Sequence, residues 1–243
     1  MTLKLRRIWN RLFKYDWKFG IFLIILFGIP RFFIVLAANI SGSYQYVSFI
    51  FMTMWFMPYI FLNKNGRKEI GIRKPANSLW LLYAFVAGIL FCGFMYMVAT
   101  VLYDHSINNC FVYISHTYLI PNKDFATFTI FALIAISFSP LGEELLYRGV
   151  IHGSFAEQFG ETKASRFDSL AFALTHLAHF GIVYHLGKWD FLLVPAILWI
   201  TGMYLVSRLF SVCRQKSGSI LGAILCHAGF NMAMMYFIFY HIL

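Results

Sequence analysis

Seven stretches of the chain are long and apolar enough to cross a bilayer as helices, and short polar segments separate them. A crossing helix needs ~20 mostly apolar residues. The pattern predicts helices over residues 19–40, 44–62, 78–103, 125–152, 169–186, 191–212 and 219–241. The stretch 169–186 is the weakest of these, because it is short and contains three histidines, which are unfavourable in lipid. A re-entrant segment there would reverse the sidedness of everything after it.

The segment before the first predicted span is basic and amphipathic. Residues 1–18 carry six Lys and Arg residues interleaved with apolar ones, a spacing typical of a basic amphipathic helix at the membrane surface. We therefore predict an interfacial lead-in followed by an uncleaved first helix that is kinked at Pro30. The predicted fold is an all-α polytopic membrane helix bundle of about seven transmembrane helices, which forms a single domain over residues 1–243.

Composition and charge support this class. The chain is 60% hydrophobic and 12% charged, whereas roughly 25% of the residues of a soluble domain are charged. A net charge of +10 could suggest nucleic acid as a partner. The Lys and Arg residues lie mainly in short segments between apolar runs, however, where they act as topology signals. We therefore predict a lipid bilayer as the surroundings and no binding to nucleic acid.

The distribution of Lys and Arg predicts the orientation. Sixteen of these residues fall on one side of the predicted topology, in 1–18, 63–77, 153–168 and 207–217, and only Lys123 and Lys188 fall on the other. By the positive-inside rule, the N-terminus is cytoplasmic. The localisation predicted is a multi-pass protein of the cell membrane.

Residues 139–149 place two adjacent glutamates and an arginine in apolar surroundings. A charge at bilayer depth costs at least about 2.5–3.5 kcal/mol, so such residues are usually paired and functional. Residues four apart share a helix face, which pairs Glu144 with Arg148 and turns Glu143 about 100° away. We predict that Glu143 is left free, as a general base would be. A purely structural clamp between helices is the alternative for Glu144 and Arg148.

Polar residues on two later predicted helices share the depth of Glu143. His176 lies about two turns after Asp168, the predicted N-cap of the fifth helix, and His227 lies about two turns into the last helix. Asn231 follows His227 by one turn on the same face. These positions all fall in the cytoplasmic half of the membrane and so predict a shared site. Polar packing contacts between helices are the alternative.

The motifs leave the use of a metal open. The sequence contains no zincin motif, no Gly-x-Ser-x-Gly elbow and no phosphate loop. A glutamate with two or three histidines could bind zinc. Their separation in sequence does not distinguish a zinc site from a metal-free site in which glutamate activates water, and no cofactor is predicted.

Three motifs together resemble those of the CAAX protease and bacteriocin-processing family, also called the Abi family. They occur in the family's order within residues 125–231, as Glu143-Glu144-Leu145-Leu146-Tyr147-Arg148, Phe172-Ala173-Leu174-Thr175-His176 and His227-Ala228-Gly229-Phe230-Asn231. Family members commonly have eight helices, one more than the count predicted here.

The resemblance implies a glutamate-type intramembrane endopeptidase, whose site is reached from the cytoplasmic side. Its substrate would be a membrane-associated peptide or protein, and the compact size favours a bacterial plasma membrane. The roles implied are activation of water by Glu143 with His176, oxyanion stabilisation by His227 with Asn231, and positioning by Glu144 with Arg148. Two other classes stay open, a non-enzymatic bacteriocin-immunity or regulatory protein and a transporter. The sequence predicts neither the substrate's identity nor the oligomeric state.

Overall fold

The computed structural model describes residues 4–118 and 124–243, which form a helical bundle with one small β-hairpin. The helices are α1 (Trp17–Ser41), α2 (Gln45–Phe61), α3 (Lys64–Glu69), α4 (Leu79–Tyr103), α5 (Cys110–Thr117), α6 (Phe125–Glu143), α7 (His152–Thr175), α8 (Leu193–Ser217) and α9 (Ile220–Phe237). Strands β1 (Ile182–His185) and β2 (Lys188–Phe191) pair antiparallel, with Ile182 opposite Phe191. Lys123 and the first three residues of the predicted lead-in lie outside the described residues.

The prediction of an all-α polytopic membrane bundle is confirmed. Five helical elements in the described part of the chain are long and apolar enough to cross a membrane. They are Trp17–Ser41, Leu79–Tyr103, Phe125–Ala178, Leu193–Ser217 and Ile220–Ile242. The 17 residues of α2 match another predicted crossing, although this helix is shorter than the usual ~20 residues.

The element Phe125–Ala178 consists of two antiparallel parts. The backbone leaves helical geometry at Gly160, where φ is 76°, and Nδ1 of His152 lies 2.6 Å from Oδ2 of Asp168. In a straight helix these two residues, 16 positions apart, would be separated by about 24 Å. The chain therefore reverses at Gly160 and forms two antiparallel helical segments.

The limits predicted for the fifth span, 169–186, are wrong at both ends. Asp168 lies inside α7 and bonds to His152, so it does not cap the helix. At the other end, a short 3-10 turn (His176–Ala178) finishes the helix and the β-hairpin follows. Gly181 and Gly187, with φ of 115° and 78°, allow the backbone to turn at the start and at the tip of this hairpin.

The segments predicted to lie on one side of the membrane meet at one end of the bundle. We call this the basic end, formed by residues 4–18, 63–77, 150–168 and 214–219. There Nζ of Lys4 pairs with Glu157 and lies 2.7 Å from Oε2 of Glu69. Burial lowers the pKa of Lys4, but hydrogen bonds to these two carboxylates outweigh it and raise the pKa overall. Tyr15 donates to the carbonyl of Val150 at 3.0 Å.

At the opposite end, the turn between α1 and α2 contacts α5. We call this the far end, formed by residues 42–46, 104–118 and 179–192. The hydroxyl of Tyr44 donates to Thr117 at 3.0 Å. The side chain of Asn39 donates to the carbonyl of Ala178 at 2.8 Å, which joins α1 to the end of α7. The two ends predicted from the charge pattern are therefore distinct in the fold.

The predicted amphipathic helix in the lead-in is wrong over the described residues. Only Trp9–Arg11 form a short 3-10 turn. Leu5 instead forms an antiparallel β-bridge with Leu62, and the amide of Asn63 donates to the carbonyl of Lys4 at 3.0 Å. The segment remains amphipathic, because Leu5 is buried while Arg6 and Arg7 are exposed. Backbone pairing with the end of α2 replaces helix formation here.

Small residues bring α4 and α9 into close contact. A Cβ atom added to Gly88 would collide with the backbone of Cys226, and one added to Gly229 would collide with the backbone of Phe85. Small residues at such positions allow membrane helices to approach closely. This contact fixes the position of α9 and therefore of His227.

Replacement of His152 by Ala tests the turn at Gly160. His152 is fully buried and contacts Asp168 and Glu161. Its loss leaves the buried Asp168 without this partner, so we expect the free energy of unfolding to fall by about 1–3 kcal/mol. Thermal unfolding of the purified protein in detergent measures the change. His105→Ala is the control, since the side chain of His105 is 65% exposed. Equal unfolding temperatures for both variants would contradict this account of the turn.

Candidate active site

A wide helical turn presents both glutamates to the interior of the bundle. Pro140 lies inside α6 and lacks a backbone N–H. Directly after Glu143 the helix changes to a π turn over Glu144–Ile151. Such turns are rare and are frequent at functional sites. All residues from Gly142 to Ile151 are buried, so neither glutamate faces lipid or water.

Glu143 is not free, which corrects the prediction from helix geometry. Its Oε1 lies 2.7 Å from Nη2 of Arg31, and the two side chains are 0% and 1% exposed. The hydroxyl of Ser139 donates to Oε2 at 2.7 Å. The sequence contains a signal for this pair, because Arg31 lies within an apolar stretch and a cation there needs a buried counter-charge. Helical spacing could not show it, since the partner is on another helix.

Arg31 also contacts the histidines that follow α7. Its Nη1 donates to Oγ1 of Thr175 at 2.6 Å, and its Nη2 lies 3.3 Å from Nε2 of both His176 and His179. Nδ1 of His176 lies 2.7 Å from the carbonyl oxygen of Phe172. A carbonyl only accepts, so Nδ1 carries the proton and Nε2 of a neutral ring keeps its lone pair. Arg31 thus links Glu143 to a basic nitrogen of His176.

The predicted ion pair between Glu144 and Arg148 is present. Nε of Arg148 lies 3.2 Å from Oε2 of Glu144, and neither side chain is exposed. The guanidinium also donates to Ser207 and lies 4.3 Å from the centre of the Phe172 ring. These contacts tie the π turn to α7 and α8.

His227 lies between the two glutamates. Its Nδ1 is 2.9 Å from Oε1 of Glu144, and its Nε2 is 3.7 Å from Oε2 of Glu143. The ring stacks on Phe210, with the centroids 4.7 Å apart and an angle of 13° between the planes. The structure therefore brings His227 to both carboxylates, as the sequence predicts for a shared site.

Asn231 lies one turn further along α9. Its Nδ2 donates to the carbonyl oxygen of Ala135 at 2.9 Å. This bond uses only one of the two N–H donors of the Asn231 side chain. Asn231 and His227 line the same cavity, but Asn231 makes its hydrogen bond to α6 rather than to the glutamates.

A cavity of about 370 Å³ lies beside the glutamates, which are not part of its lining. Its polar lining includes Arg31, His176, His227 and Asn231, and ligand sites typically range over ~300–1,000 Å³. It reaches Tyr44 at the far end of the bundle. The family resemblance instead implies access from the end that holds the N-terminus.

The described residues 4–118 and 124–243 contain no group of three or more His, Cys, Asp and Glu side chains arranged to hold a metal ion. Arg31 occupies the position between Glu143 and His176. The polar groups of the site are instead joined by direct hydrogen bonds and ion pairs.

Comparison with known proteins supports the resemblance. A family model described as type II CAAX prenyl endopeptidase Rce1-like matches residues 125–233. The match confirms the relationship to the CAAX protease and bacteriocin-processing family and spans all six predicted site residues. Arg31 lies outside it. No curated protein and no solved structure matches the chain.

The pairing of Arg31 with Glu143 is tested by a double-mutant cycle in detergent. Arg31→Gln leaves the Glu143 carboxylate buried without its partner, and breaking a buried pair in this way costs roughly 3–5 kcal/mol of unfolding free energy. Adding Glu143→Gln removes the isolated charge, so we expect the double variant to regain most of this loss. Arg31→Lys, which keeps the charge, serves as the control. Additive effects of the two Gln substitutions would contradict the pairing.

Proposed function

We propose, from the Rce1-like domain at residues 125–233, that the protein is a CAAX-type intramembrane endopeptidase with a glutamate-type mechanism. The observation that carries the proposal is the buried pair of Glu143 and His227, whose Oε2 and Nε2 atoms are 3.7 Å apart. His227 lines a cavity of about 370 Å³, a volume that accommodates part of a peptide, and Glu143 contacts two other residues of its lining, Arg31 and Ser139. Peptide hydrolysis needs a base, a donor for the oxyanion and a pocket, and this site offers all three.

Glu143 is the base in this proposal. It takes a proton from a water molecule while the water oxygen attacks the carbonyl carbon of the scissile bond. Arg31 pairs with Oε1, whereas Oε2 contacts Ser139 and faces His227. Oε2 is therefore the oxygen better placed to take the proton.

His176 holds the attacking water with Glu143. Nε2 of a neutral His176 carries a lone pair and can accept a hydrogen bond from water. Nη2 of Arg31 now lies between this nitrogen and Glu143. Arg31 also lines the cavity, so we propose that the bound peptide draws the guanidinium aside and lets water take this position.

His227 and Asn231 stabilise the negative charge that develops on the carbonyl oxygen. Asn231 has an amide hydrogen beyond the one that it donates to Ala135. Nε2 of His227 donates only from the imidazolium form, for which Glu144 at 2.9 Å is the counter-ion. The intermediate collapses as the C–N bond breaks, and Glu143 passes its proton to the leaving amine.

Glu144 and Arg148 position the other groups. Glu144 bonds to Nδ1 of His227 and so orients the ring, while Arg148 pairs with Glu144 and bonds to Ser207. A carboxylate that orients an imidazole has the same role in hydrolytic triads. We propose that neither side chain contacts the reacting atoms.

Glu143→Gln tests the reaction. An amide cannot accept the proton from water, so we expect cleavage to fall by about 10²–10⁴-fold. Mass spectrometry of membrane peptides from cells with wild-type protein and with the variant measures the change and identifies the substrate. Glu69→Gln is the matched control, since Glu69 pairs with Lys4 at the basic end. Identical peptide profiles in correctly inserted wild-type and Glu143→Gln protein would contradict the proposal.

Asn231→Ala tests the oxyanion role separately. Loss of one such donor costs about 10²–10³-fold in kcat elsewhere, and we expect a similar loss with little change in KM. The kinetics are measured on the peptide found in the preceding experiment. Asn39→Ala removes a buried amide that bonds to Ala178 away from the glutamates, and it is the control for packing effects. An unchanged kcat for Asn231→Ala would rule out this role.

A further inference from the structure

The cavity extends in one direction along α6 and α9, starting from the residues that lie next to Glu143. On α9 its lining runs from His227 to Met235, and on α6 it runs from Ser139 back to Phe131. Each of these eight-residue steps covers about 12 Å along the helix axis. Both lead away from the basic end, because α9 begins at the basic end and α6 continues toward it.

The cavity reaches the protein surface at the far end, and we call this opening its mouth. The lining there includes Gly42, Tyr44 and Gln45, from the turn between α1 and α2, and Tyr118, which follows α5. Gln45 is exposed, while Gly42, Tyr44 and Tyr118 are half-buried. Tyr44 contacts Thr117 and Tyr118, so the start of α2 and the end of α5 form the rim.

The basic end is closed beneath the glutamates. Leu146, Tyr147 and Val150 follow Glu144 along the π turn toward the basic end and are all 0% exposed. The lead-in crosses this end, where Tyr15 bonds to the carbonyl of Val150 and lies against Gly153. A peptide at the basic end would therefore meet packed side chains, not the cavity.

Charge identifies which end faces which compartment. The segments rich in Lys and Arg meet at the basic end, whereas in the described part of the chain the far end contributes only Lys188. The positive-inside rule places such a basic end in the cytoplasm. The mouth of the cavity then faces the other compartment.

We propose that the catalytic cavity opens to the extracytoplasmic face and that the substrate is an uncharged, apolar peptide segment that enters from that face. This inference rests on the proposed protease function. Among the described residues that line the cavity, Arg31 is the only Lys, Arg, Asp or Glu. Most of the remaining lining is apolar, with aromatic, methionine and aliphatic side chains. A cationic segment would lose its hydration there without finding a carboxylate in the lining, and an acidic segment would meet only Arg31, which already pairs with Glu143.

The direction of the opening is tested without reference to activity. Gln45 and Asn65 are both exposed, polar and uncharged. Gln45 is the first residue of α2, and Asn65 lies in α3, just after the opposite end of α2. A membrane-impermeant maleimide is added to intact cells that express the full chain with Gln45→Cys or Asn65→Cys. The native cysteines are buried, so the wild-type chain is the blank. We expect Gln45→Cys to react in intact cells and Asn65→Cys to react only after permeabilisation, and the reverse pattern would overturn the proposal.

The substrate class is tested by mapping the peptides whose cleavage depends on Glu143. We expect the cut sites to lie in uncharged, apolar segments at the extracytoplasmic side of their precursors. A bulky maleimide on Gln45→Cys is expected to stop this cleavage, whereas the same group on Asn65→Cys is not. Cut sites on the cytoplasmic side would overturn the inference. Absence of any Glu143-dependent peptide, with Gln45→Cys still reactive from outside, would overturn the protease function and its substrate class but not the direction of the opening.

Discussion

The ion pair between Arg31 and Glu143 is the contact on which the arrangement of the site depends. Both side chains are buried within a bundle that has membrane-spanning dimensions, where an unpaired charge is costly. The pair ties α1, which lies outside the matched family domain, to the helix that carries the glutamates. Through Thr175 and His176 the same guanidinium also fixes the end of α7. Three helices are thus held together around one cation.

The π turn after Glu143 explains how neighbouring glutamates acquire different partners. In a regular helix the two side chains differ by about 100° in direction, and only one of them is expected to face the interior. Here both are buried, and each has its own arginine, Arg31 for Glu143 and Arg148 for Glu144. His227 contacts Glu144 and faces Glu143. The two pairs therefore form one network, in which Glu144 orients the histidine and Glu143 is available for proton transfer in the proposed reaction.

The sequence predicted those features of the fold and site that depend on local pattern. Hydrophobic runs located the long apolar helices, helical spacing paired Glu144 with Arg148, and motif order placed His176 and His227 near the glutamates. Contacts between distant segments could not be obtained in this way. Arg31 finds Glu143 only through packing of α1 on the bundle, and the lead-in pairs with the end of α2 instead of forming a helix. The reversal at Gly160 and the β-hairpin likewise depend on glycine conformations in a stretch that hydropathy alone describes poorly.

The central claim is that Glu143 activates water for peptide hydrolysis inside the bundle. Purified full-length protein in proteoliposomes, incubated with the membrane peptide that accumulates in Glu143→Gln cells, tests this claim most directly. Mass spectrometry should find the two hydrolysis products with wild-type protein and none above background with Glu143→Gln protein that unfolds at a similar temperature. Equal rates of cleavage by the two proteins would contradict the claim.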